Sequence, residues 1–231
     1  MHFAVPHAAK EMYQRAAWTL AFTAVFYYIN AKEYPGPAFQ VSAILVLLSA
    51  GFVAAGYGYT WLANVGQTRI REQILDGAAL TGSERVLDFG CGTGELAIEA
   101  GKRLKSGKVI AVGETATNEA AREVAKGQGL QDKVRFEAGE LTKLTYPDAN
   151  FDVVLSSRSL EGLTVEDGGR ALREIARVLK PGGRLALQIV GDAGHYVSEL
   201  QTLPFERVTA SPTSMPLGLG GRVVLAQKRV S

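Results

Sequence analysis

A hydrophobic segment that runs directly into a glycine-rich turn constrains the fold of this 231-residue chain more than any other feature. The segment Val86–Phe89 leads into Gly90–Gly94, in which glycine occupies every second position. Glycines at this spacing let a polar ligand approach the main chain and reach its N–H groups. Glu95–Ala100 then has the pattern of a helix start, and the positive end of that helix would face the turn. Strand, turn and helix together predict a cradle for a nucleotide-like ligand.

From this turn onward, short β-rich segments alternate with helical patterns. The predicted strands are Val86–Phe89, Val109–Val112, Val134–Glu137, Val153–Ser156, Arg184–Ile189 and a final antiparallel pair, Phe205–Ala210 and Arg222–Lys228. The predicted helices lie near Glu95–Leu104, Asn118–Gln128 and Asp167–Leu179. Such alternation predicts an α/β fold with a parallel sheet and helices on both faces. The ligand then binds at the carboxyl ends of the first strands, where the glycine turn lies.

Composition narrows the classes of function. A formal net charge of +2, with Lys and Arg scattered along the chain, argues against a nucleic-acid partner. The single cysteine, Cys91, excludes an internal disulfide, and its place in the glycine turn favours a small filler over a reactive thiol. The histidines and carboxylates show no metal-ligand spacing, so we predict no metal.

The first 68 residues differ from the rest in composition. No charged residue occurs between positions 34 and 68, and Ala38–Ala63 is long and apolar enough to cross a bilayer, which requires about 20 residues. The earlier apolar segment Ala16–Ile29 is shorter; it could cross with Tyr13 and Asn30 at the interfaces, or lie along the membrane surface. We therefore predict a membrane anchor over residues 1–68, with two transmembrane helices at about 13–31 and 38–63, followed by a globular domain over residues 69–231.

Basic residues predict the orientation of this hairpin. Lys10 and Arg15 precede it, Arg69 and Arg71 follow it, and the connecting turn contains only Lys32. By the positive-inside bias, both ends face the cytoplasm. The sequence thus predicts a multi-pass membrane protein with a cytoplasmic globular domain.

Other interpretations of the N-terminal segment stay open. A signal peptide has a similar basic start and apolar core, although no small-residue cleavage site follows before Lys32. A buried helical hairpin in a soluble protein would also accommodate the short first segment. Ala50, Ala54 and Gly58 form a stripe against which another helix could pack, including one from a second copy in a homo-oligomer, but small residues are common in membrane helices.

Val86–Gly94 resembles the first motif of class I S-adenosylmethionine-dependent methyltransferases. The competing dinucleotide-binding fingerprint has the spacing G-x-G-x-x-G, whereas the glycines here alternate and follow Asp88. A carboxylate repels a pyrophosphate and attracts the cationic sulfonium and ammonium groups of S-adenosylmethionine. Gly139–Val154 is similar to the family's post-strand-four region, and Glu174–Leu185 closely resembles its helix, Pro-Gly-Gly turn and fifth strand. The resemblance implies a Rossmann-like seven-stranded sheet and S-adenosylmethionine as cofactor.

The resemblance also implies roles for individual residues. Asp88 would orient the turn and the methionine amino group, Glu140 would accept a hydrogen bond from the adenine amino group, and the Leu141 main chain would meet the adenine ring. Ser156 would line the methionine end of the pocket. The other implied cofactor positions are Gly90, Cys91, Gly92, Thr93, Gly94 and Thr115.

One position departs from the family pattern. The carboxylate that binds the ribose normally ends the second strand, where this chain has Gly113 and then Glu114. The longer Glu114 side chain could still reach the ribose hydroxyls, so we assign it this role. The alternative is a solvated Glu114 and a different ribose ligand.

The sequence contains no unambiguous general base. Arg158 and Glu161 follow the fourth predicted strand, where the family often carries a substrate loop, and His195 and Tyr196 follow the fifth. All four are candidate substrate contacts. Glu161 and His195 are also candidate bases, because a carboxylate or an imidazole can accept a proton from a phenol or an amine, although both types are common on surfaces.

The segment before the first motif commonly covers the pocket in this family. Here that segment consists of the predicted hairpin and an amphipathic helix, Arg69–Leu80, which we expect to roof the acceptor site. The hypothesis is therefore a lipid or lipophilic acceptor, either a phospholipid headgroup or an isoprenoid quinone. A non-catalytic, membrane-tethered S-adenosylmethionine-binding module and a membrane-bound protein methyltransferase are the alternatives.

Overall fold

The computed structural model describes residues 7–113, 115–190, 193–212 and 221–230. The chain divides into two compact units, Met1–Gln67 and Thr68–Ser231. The helices are α1 His7–Asn30, α2 Pro35–Gly77, α3 Glu95–Arg103, α4 Thr115–Gly127, α5 Val165–Val178 and α6 Ala193–Thr202. The strands are β1 Arg85–Phe89, β2 Lys108–Gly113, β3 Val134–Ala138, β4 Phe151–Ser157, β5 Leu179–Ile189, β6 Phe205–Ala210 and β7 Arg222–Lys228.

The helices of the first unit are longer than the sequence predicted. The helices predicted over residues 38–63 and 69–80 form one continuous helix, α2, and α1 begins at His7 rather than near residue 13. Residues 64–68 contain no proline, and the one glycine among them costs only about 1 kcal/mol in a helix. Pro35 is compatible with the first turn of α2 because that turn needs no N–H donor.

A seam of mostly small side chains joins α1 to α2. Shielded residues recur at alternating spacings of four and three, which is the heptad pattern of paired helices. On α1 they are Met12, Ala16, Thr19, Thr23, Phe26 and Asn30, and on α2 they are Ala38, Ser42, Leu45, Ser49, Phe52 and Gly56. The Tyr13 ring packs against Gly56, where an added Cβ would come within 2.8 Å of the ring, and against Tyr57, with ring centroids 5.7 Å apart. The predicted stripe of Ala50, Ala54 and Gly58 lies outside this seam and is exposed.

The second unit contains the predicted seven-stranded sheet, in the order β3-β2-β1-β4-β5-β7-β6, with β7 antiparallel to both of its neighbours. One core lies between the sheet and the end of α2, α3 and α4. The other lies under α5 and α6. The Rossmann-like fold with helices on both faces is therefore confirmed. Helix α6 was not predicted.

The end of α2 belongs to the first of these cores. Ile70, Ile74 and Leu75 are buried, as the amphipathic pattern predicts. Arg71 forms an ion pair with Glu95 at the start of α3, and Asp76 pairs with Arg103 at its end, at 2.6 Å. The segment 69–77 therefore lies alongside α3. The cavity described below is lined by other residues, and the prediction that this helix roofs the acceptor site stays a prediction.

Two further local predictions were wrong. The Pro-Gly-Gly segment, Pro181–Gly183, lies within β5 instead of forming a turn before it. A register shift between Phe151 and Val153 of β4 accommodates the extra residues, and Gly182 has a φ of 74°. Gly139–Leu141, assigned to a post-strand-four region, follows β3 and precedes β4.

The start of β1 is tied to β5 through Glu84, whose side chain is 6% exposed. Its carboxylate accepts hydrogen bonds from the N–H groups of Thr81 and Gly82, at 2.7 and 2.8 Å, and from Arg184, at 2.8 Å. Burial by itself raises the pKa of this carboxyl group. The hydrogen bonds outweigh burial and hold the pKa at about 2.

Glu84→Gln should destabilise the Thr68–Ser231 unit by about 2–4 kcal/mol, because Arg184 would lose its charged partner. Since the pKa falls from 4.5 to about 2 on folding, this stabilisation is complete above pH 4.5 and is lost as the pH falls through 2. Amide hydrogen exchange along β1 and β5 measures it. Tryptophan fluorescence does not, because Trp18 and Trp61 both lie in the other unit.

Asp76→Asn is the matched control. It removes an ion pair whose carboxylate is 71% exposed, so we expect a loss below about 1 kcal/mol. Equal losses of stability for the two variants would contradict a special role for Glu84 and its hydrogen-bond partners.

Candidate cofactor site

The glycine turn after β1 uses conformations that side chains disfavour. Gly90, Gly92 and Gly94 have φ values of 74°, 49° and 76°. A Cβ on Gly90 would overlap the Cβ of Ser159, and one on Gly94 would lie 2.6 Å from Ala121. At Gly92 a Cβ would meet nothing within 4 Å. Two glycines thus permit close packing, and Gly92 faces open space.

Part of the turn's hydrogen-bonding capacity is already used. The N–H groups of Gly90 and Cys91 donate to the Val112 carbonyl, at 3.0 and 2.8 Å, and that of Gly94 donates to the Cys91 carbonyl at 2.7 Å. Among the described residues, the N–H groups of Gly92 and Thr93 have no partner. These two groups remain available to a ligand, fewer than the sequence suggested.

Asp88 is buried behind the turn. Its side chain is 1% exposed, and neither carboxylate oxygen has a hydrogen-bond partner among the described residues. Burial raises the pKa of this carboxyl group to about 7, an effect that the nearby Ala97 N–H partly opposes. An orphaned carboxylate here is stabilised by a proton or by a cation.

Cys91 is a buried thiol rather than a nucleophile. Burial, with the Asp88 charge as a second cause, raises its pKa to about 12. The thiolate is the reactive form of cysteine, so this environment suppresses its reactivity. The interpretation of Cys91 as a filler fits this environment.

A cavity of about 510 Å³ opens beside the turn at the carboxyl ends of the strands. Its lining residues are Gly90, Gly92, Gly113, Gly139, Glu140, Leu141, Thr142, Ser159, Leu163 and Asp167. A cavity of this size suits a small-molecule ligand. Of the residues assigned to the cofactor, Gly90, Gly92, Glu140 and Leu141 line it.

Other assigned cofactor residues lie elsewhere. Ser156 is buried and hydrogen-bonded to Ser159, and it is Ser159 that reaches the cavity. Gly113, at the end of β2, lines the cavity, but Glu114 lies outside the described residues. Thr115 is the first residue of α4, and the structure describes its main chain alone.

The four candidate substrate residues do not line this cavity. Arg158, with a φ of 62°, holds both carboxylate oxygens of Glu161 through bonds of 2.9 to 3.1 Å. His195 is exposed on α6 instead of lying in a loop, and its ring contacts Tyr196. The Tyr196 hydroxyl donates to the Leu160 carbonyl at 3.3 Å. These placements leave Glu161 occupied and His195 away from the cavity.

Sequence reasoning missed Ser159, Leu163 and Asp167, which the β4–α5 connection and the first turn of α5 bring to the cavity. Asp167 had a visible signal, because Thr164 and Asp167 have the spacing of a helix capping box. Thr164 indeed accepts a hydrogen bond from the Asp167 N–H at 3.1 Å and donates to its carboxylate at 2.9 Å. The sequence could not show that this cap faces the ligand cavity.

The site fits S-adenosylmethionine. The orphaned carboxylate of Asp88 gains a favourable charge partner when a cation binds. The space that a Cβ would fill at Gly92, with the free N–H groups of Gly92 and Thr93, suits close approach by a polar ligand. Glu140 and Leu141, to which the family resemblance assigns adenine, line the same cavity.

Asp88→Asn should stabilise the ligand-free protein and weaken cofactor binding. The pKa rises from 3.8 to about 7 on folding, so the wild type loses stability as the pH rises through this range, by up to about 4 kcal/mol. The variant lacks this dependence and should be the more stable protein at pH 8. Its affinity for S-adenosylmethionine should fall at least about tenfold, because a buried negative charge is gone.

Hydrogen exchange in β1 and calorimetric titration with S-adenosylmethionine measure the two effects. Cys91→Ala is the control, since it removes a buried side chain from the same turn without a charge. It should lower stability by a similar amount at every pH. A variant Asp88→Asn that binds the cofactor as tightly as wild type at pH 8 would contradict the assigned role.

Comparison with known proteins also indicates a methyltransferase. Residues 86–183 match a family model described as a methyltransferase domain. The O-methyltransferase rstn1 of Aspergillus nomiae is 31% identical over 166 residues, which cover 67% of this chain and 70% of that protein. The ubiquinone/menaquinone biosynthesis C-methyltransferase UbiE of Bdellovibrio bacteriovorus is 35% identical over 121 residues, covering 50% of this chain and 48% of that protein. The chain spans less than half the length of other curated relatives that it matches.

Solved structures agree on the fold. A SAM-dependent methyltransferase from Methanosarcina mazei superposes with a TM-score of 0.55 at 20% identity, covering 66% of this chain and 95% of that one. The strand order, the glycine turn and the sequence relatives therefore all indicate a methyltransferase. This chain belongs to the family of S-adenosylmethionine-dependent methyltransferases.

Proposed function

We propose that this protein is a membrane-anchored enzyme that transfers a methyl group from S-adenosylmethionine to a lipid or lipophilic small molecule. The observation that carries the membrane part is the packing of the Met1–Gln67 unit. Most of its large apolar side chains face outward, and the seam between its helices contains mostly small and hydroxyl side chains, which is the reverse of a water-soluble pair of helices.

The outward face is rich in aromatic and aliphatic residues. Trp18, Phe22, Leu47 and Trp61 are 77%, 61%, 71% and 69% exposed. Exposing such side chains to water costs about 25 cal/mol per Å² of apolar surface, whereas hydrocarbon removes this cost. Exposed apolar patches of this extent mark a membrane or a partner surface.

The inward face has the composition of helix pairs that associate in lipid. Small residues let two backbones approach closely where lipid supplies no hydrophobic drive. The hydroxyls of Thr19, Thr23, Ser49 and Thr60 donate to main-chain carbonyls four residues earlier, at 2.7 to 2.9 Å. These four hydroxyls therefore need no water, as burial in a bilayer requires, whereas the buried hydroxyl of Ser42 in the same seam has no partner among the described residues.

A core helix of a soluble protein is a poorer account of α2. Within the described residues, α2 is the one helix long and apolar enough to cross a membrane. Of its most apolar 18-residue segment, 17% is buried. A soluble core helix would be mostly buried. Helix α1 does not meet the same criterion, so its part in the anchor rests on its seam with α2.

Methyl transfer requires mainly that the protein align the methyl donor with the acceptor atom. Bound S-adenosylmethionine supplies an activated methyl group; the chain must hold the donor, place the acceptor atom in line and exclude water. Asp88 and the glycine turn act on the donor side. Ser159 and Leu163 line the cavity from the connection between β4 and α5, and we assign them to the acceptor side.

Two observations support a lipophilic acceptor: the proposed membrane anchor and the name of one sequence relative. A lipophilic acceptor is concentrated in the bilayer to which the anchor would bring the enzyme. The UbiE relative bears a name from quinone biosynthesis. A membrane-bound protein methyltransferase and a non-catalytic binding module are the competing functions.

Membranes containing the full-length protein, incubated with S-adenosylmethionine labelled in its methyl group, should transfer label to the lipid extract. Gly92→Val is the control, because it fills open cofactor space at a glycine with positive φ. Label confined to the protein fraction would indicate a protein methyltransferase. Cofactor binding without any transfer to the membranes would favour the non-catalytic module.

The seam supplies a test of the anchor itself. Gly56→Val should disrupt α1–α2 packing, because its side chain would run into Tyr13, whereas Gly58→Val meets open space. We expect faster protease cleavage of the helical hairpin in membranes for Gly56→Val than for Gly58→Val, since the loosened helices expose their ends. Release of the wild-type protein from membranes by alkaline carbonate would overturn the anchor assignment.

A further inference from the structure

Residues 139–142, here called the cavity segment, line the cavity between β3 and β4 but are weakly held by their own contacts. In the described part of the chain, they take part in two hydrogen bonds to other main-chain groups, at 3.3 and 3.4 Å. Both are long beside the usual distance of about 2.9 Å. The first buried side chain after the segment is that of Leu144, at 7% exposed. The position of the cavity segment therefore depends on what holds the chain at Leu144.

Two side chains of α5 hold Leu144 by its main chain. The Glu174 carboxylate accepts a hydrogen bond from the Leu144 N–H at 2.8 Å, and Arg177 donates one to the Leu144 carbonyl at 3.0 Å. Arg177 also donates to the Tyr146 carbonyl and to the Asp148 carboxylate, at 2.7 and 2.8 Å. The chain immediately after the cavity segment is thus fixed to α5 at Leu144, Tyr146 and Asp148.

These contacts occupy the whole guanidinium group of Arg177. Its Nε and Nη2 atoms donate to the two carboxylate oxygens of Glu174, at 2.8 and 2.7 Å. With the three contacts to residues 144–148, these bonds use all five N–H groups of the side chain. Hydrogen bonding to Arg177 also holds the pKa of the Glu174 carboxyl group below its ordinary value, which keeps that group ionised. A lysine could not satisfy the same set of acceptors, because its donors share one nitrogen.

Tyr146 ties the same stretch of chain to the end of β3. Its hydroxyl donates to the Glu137 carboxylate at 2.6 Å, and its ring packs edge-on against Phe151, with ring centroids 5.1 Å apart. Because Glu137 precedes the cavity segment by two residues, this bond closes the segment into a short loop. Neither Tyr146 nor Arg177 lines the cavity itself.

We propose that Arg177 is a positioning residue for the cofactor, which holds the cavity segment in its binding conformation through the main chain of Leu144 and Tyr146. Arg177 would do so without touching the ligand. If the segment is released, only a fraction of the molecules keeps the binding conformation, and the apparent dissociation constant rises by the inverse of that fraction. This role in the cofactor site is independent of the membrane anchor and of the identity of the acceptor.

Calorimetric titration of the full-length protein with S-adenosylmethionine, in neutral detergent, tests this role. Arg177→Gln should weaken binding at least about tenfold, because the guanidinium contacts that fix the segment are lost. Arg177→Lys keeps the charge and part of the bonding, so its affinity should lie between those of Arg177→Gln and wild type. In both variants, amide hydrogen exchange should accelerate in residues 140–146 and slow again when the cofactor is bound. Exchange in β1 and β5 shows whether each variant is folded.

Lys228→Gln is the matched control for a general loss of stability. The Lys228 ammonium group donates to the Ala176 and Leu179 carbonyls, at 2.6 and 2.7 Å, at the same end of α5 as Arg177. Neither bond involves residues 139–148. The variant should therefore lose stability and still bind S-adenosylmethionine within about twofold of wild type, without faster exchange in residues 140–146.

Tyr146→Phe is a milder variant on the other side of the loop. It removes the hydrogen bond to Glu137 and keeps the ring against Phe151, so the fold should be retained. The loss of one hydrogen bond should weaken cofactor binding by about threefold.

A folded Arg177→Gln protein that binds S-adenosylmethionine as tightly as wild type would overturn the positioning role. Equal weakening by Arg177→Gln and Lys228→Gln would do the same, because the effect would then be general destabilisation. If Arg177→Gln does not fold, unchanged affinity in both Arg177→Lys and Tyr146→Phe overturns the proposal. Failure of the proposed function is distinguishable, since it would appear as label confined to protein in the membrane assay and would leave these affinities unaffected.

Discussion

The rest of the methyltransferase unit is built around an unpaired carboxylate at the end of its central strand. Asp88 is buried, its carboxylate oxygens have no hydrogen-bond partner among the described residues, and burial favours its protonated form. A buried ionised group without a partner is among the least favourable features a fold can contain. Here the surrounding strands supply the stability that tolerates it. The site therefore holds an electrostatic preference for a cation before any ligand arrives, at the expense of the stability of the free protein.

The sequence predicted the sheet well because each strand carries its own signal. Seven β-rich segments, the alternation with helices and the glycine turn are local patterns, and the structure bears them out. Pro181–Gly183 has the composition of a turn, yet pairing of β5 with β4 and a register shift draw these residues into the strand. Helix α6 has a weak pattern, and two buried residues, Ala193 and Leu200, are too few to reveal it.

The residues of the site likewise differ in whether a local sequence pattern reveals them. The glycines and Asp88 are contiguous in sequence and were found from their spacing. Ser159 and Asp167 reach the same cavity from the β4–α5 connection and the start of α5, so their place depends on strand order and on the length of a connection. Glu161 and His195 have side chains suited to proton transfer, but sequence could not show that Arg158 engages the first or that the second lies on an exposed face. Residue type therefore indicated which chemistry a side chain could perform, but not where the fold would place it.

The N-terminal unit shows the reverse problem, because its uniform apolarity concealed its periodicity. Seven-residue spacing is clear when the seam is apolar and the outside is polar; here the outside is apolar and the seam contains alanine, serine, threonine and glycine. The predicted stripe of Ala50, Ala54 and Gly58 followed small residues alone, whereas Gly56 and Ser49 lie where α1 actually packs.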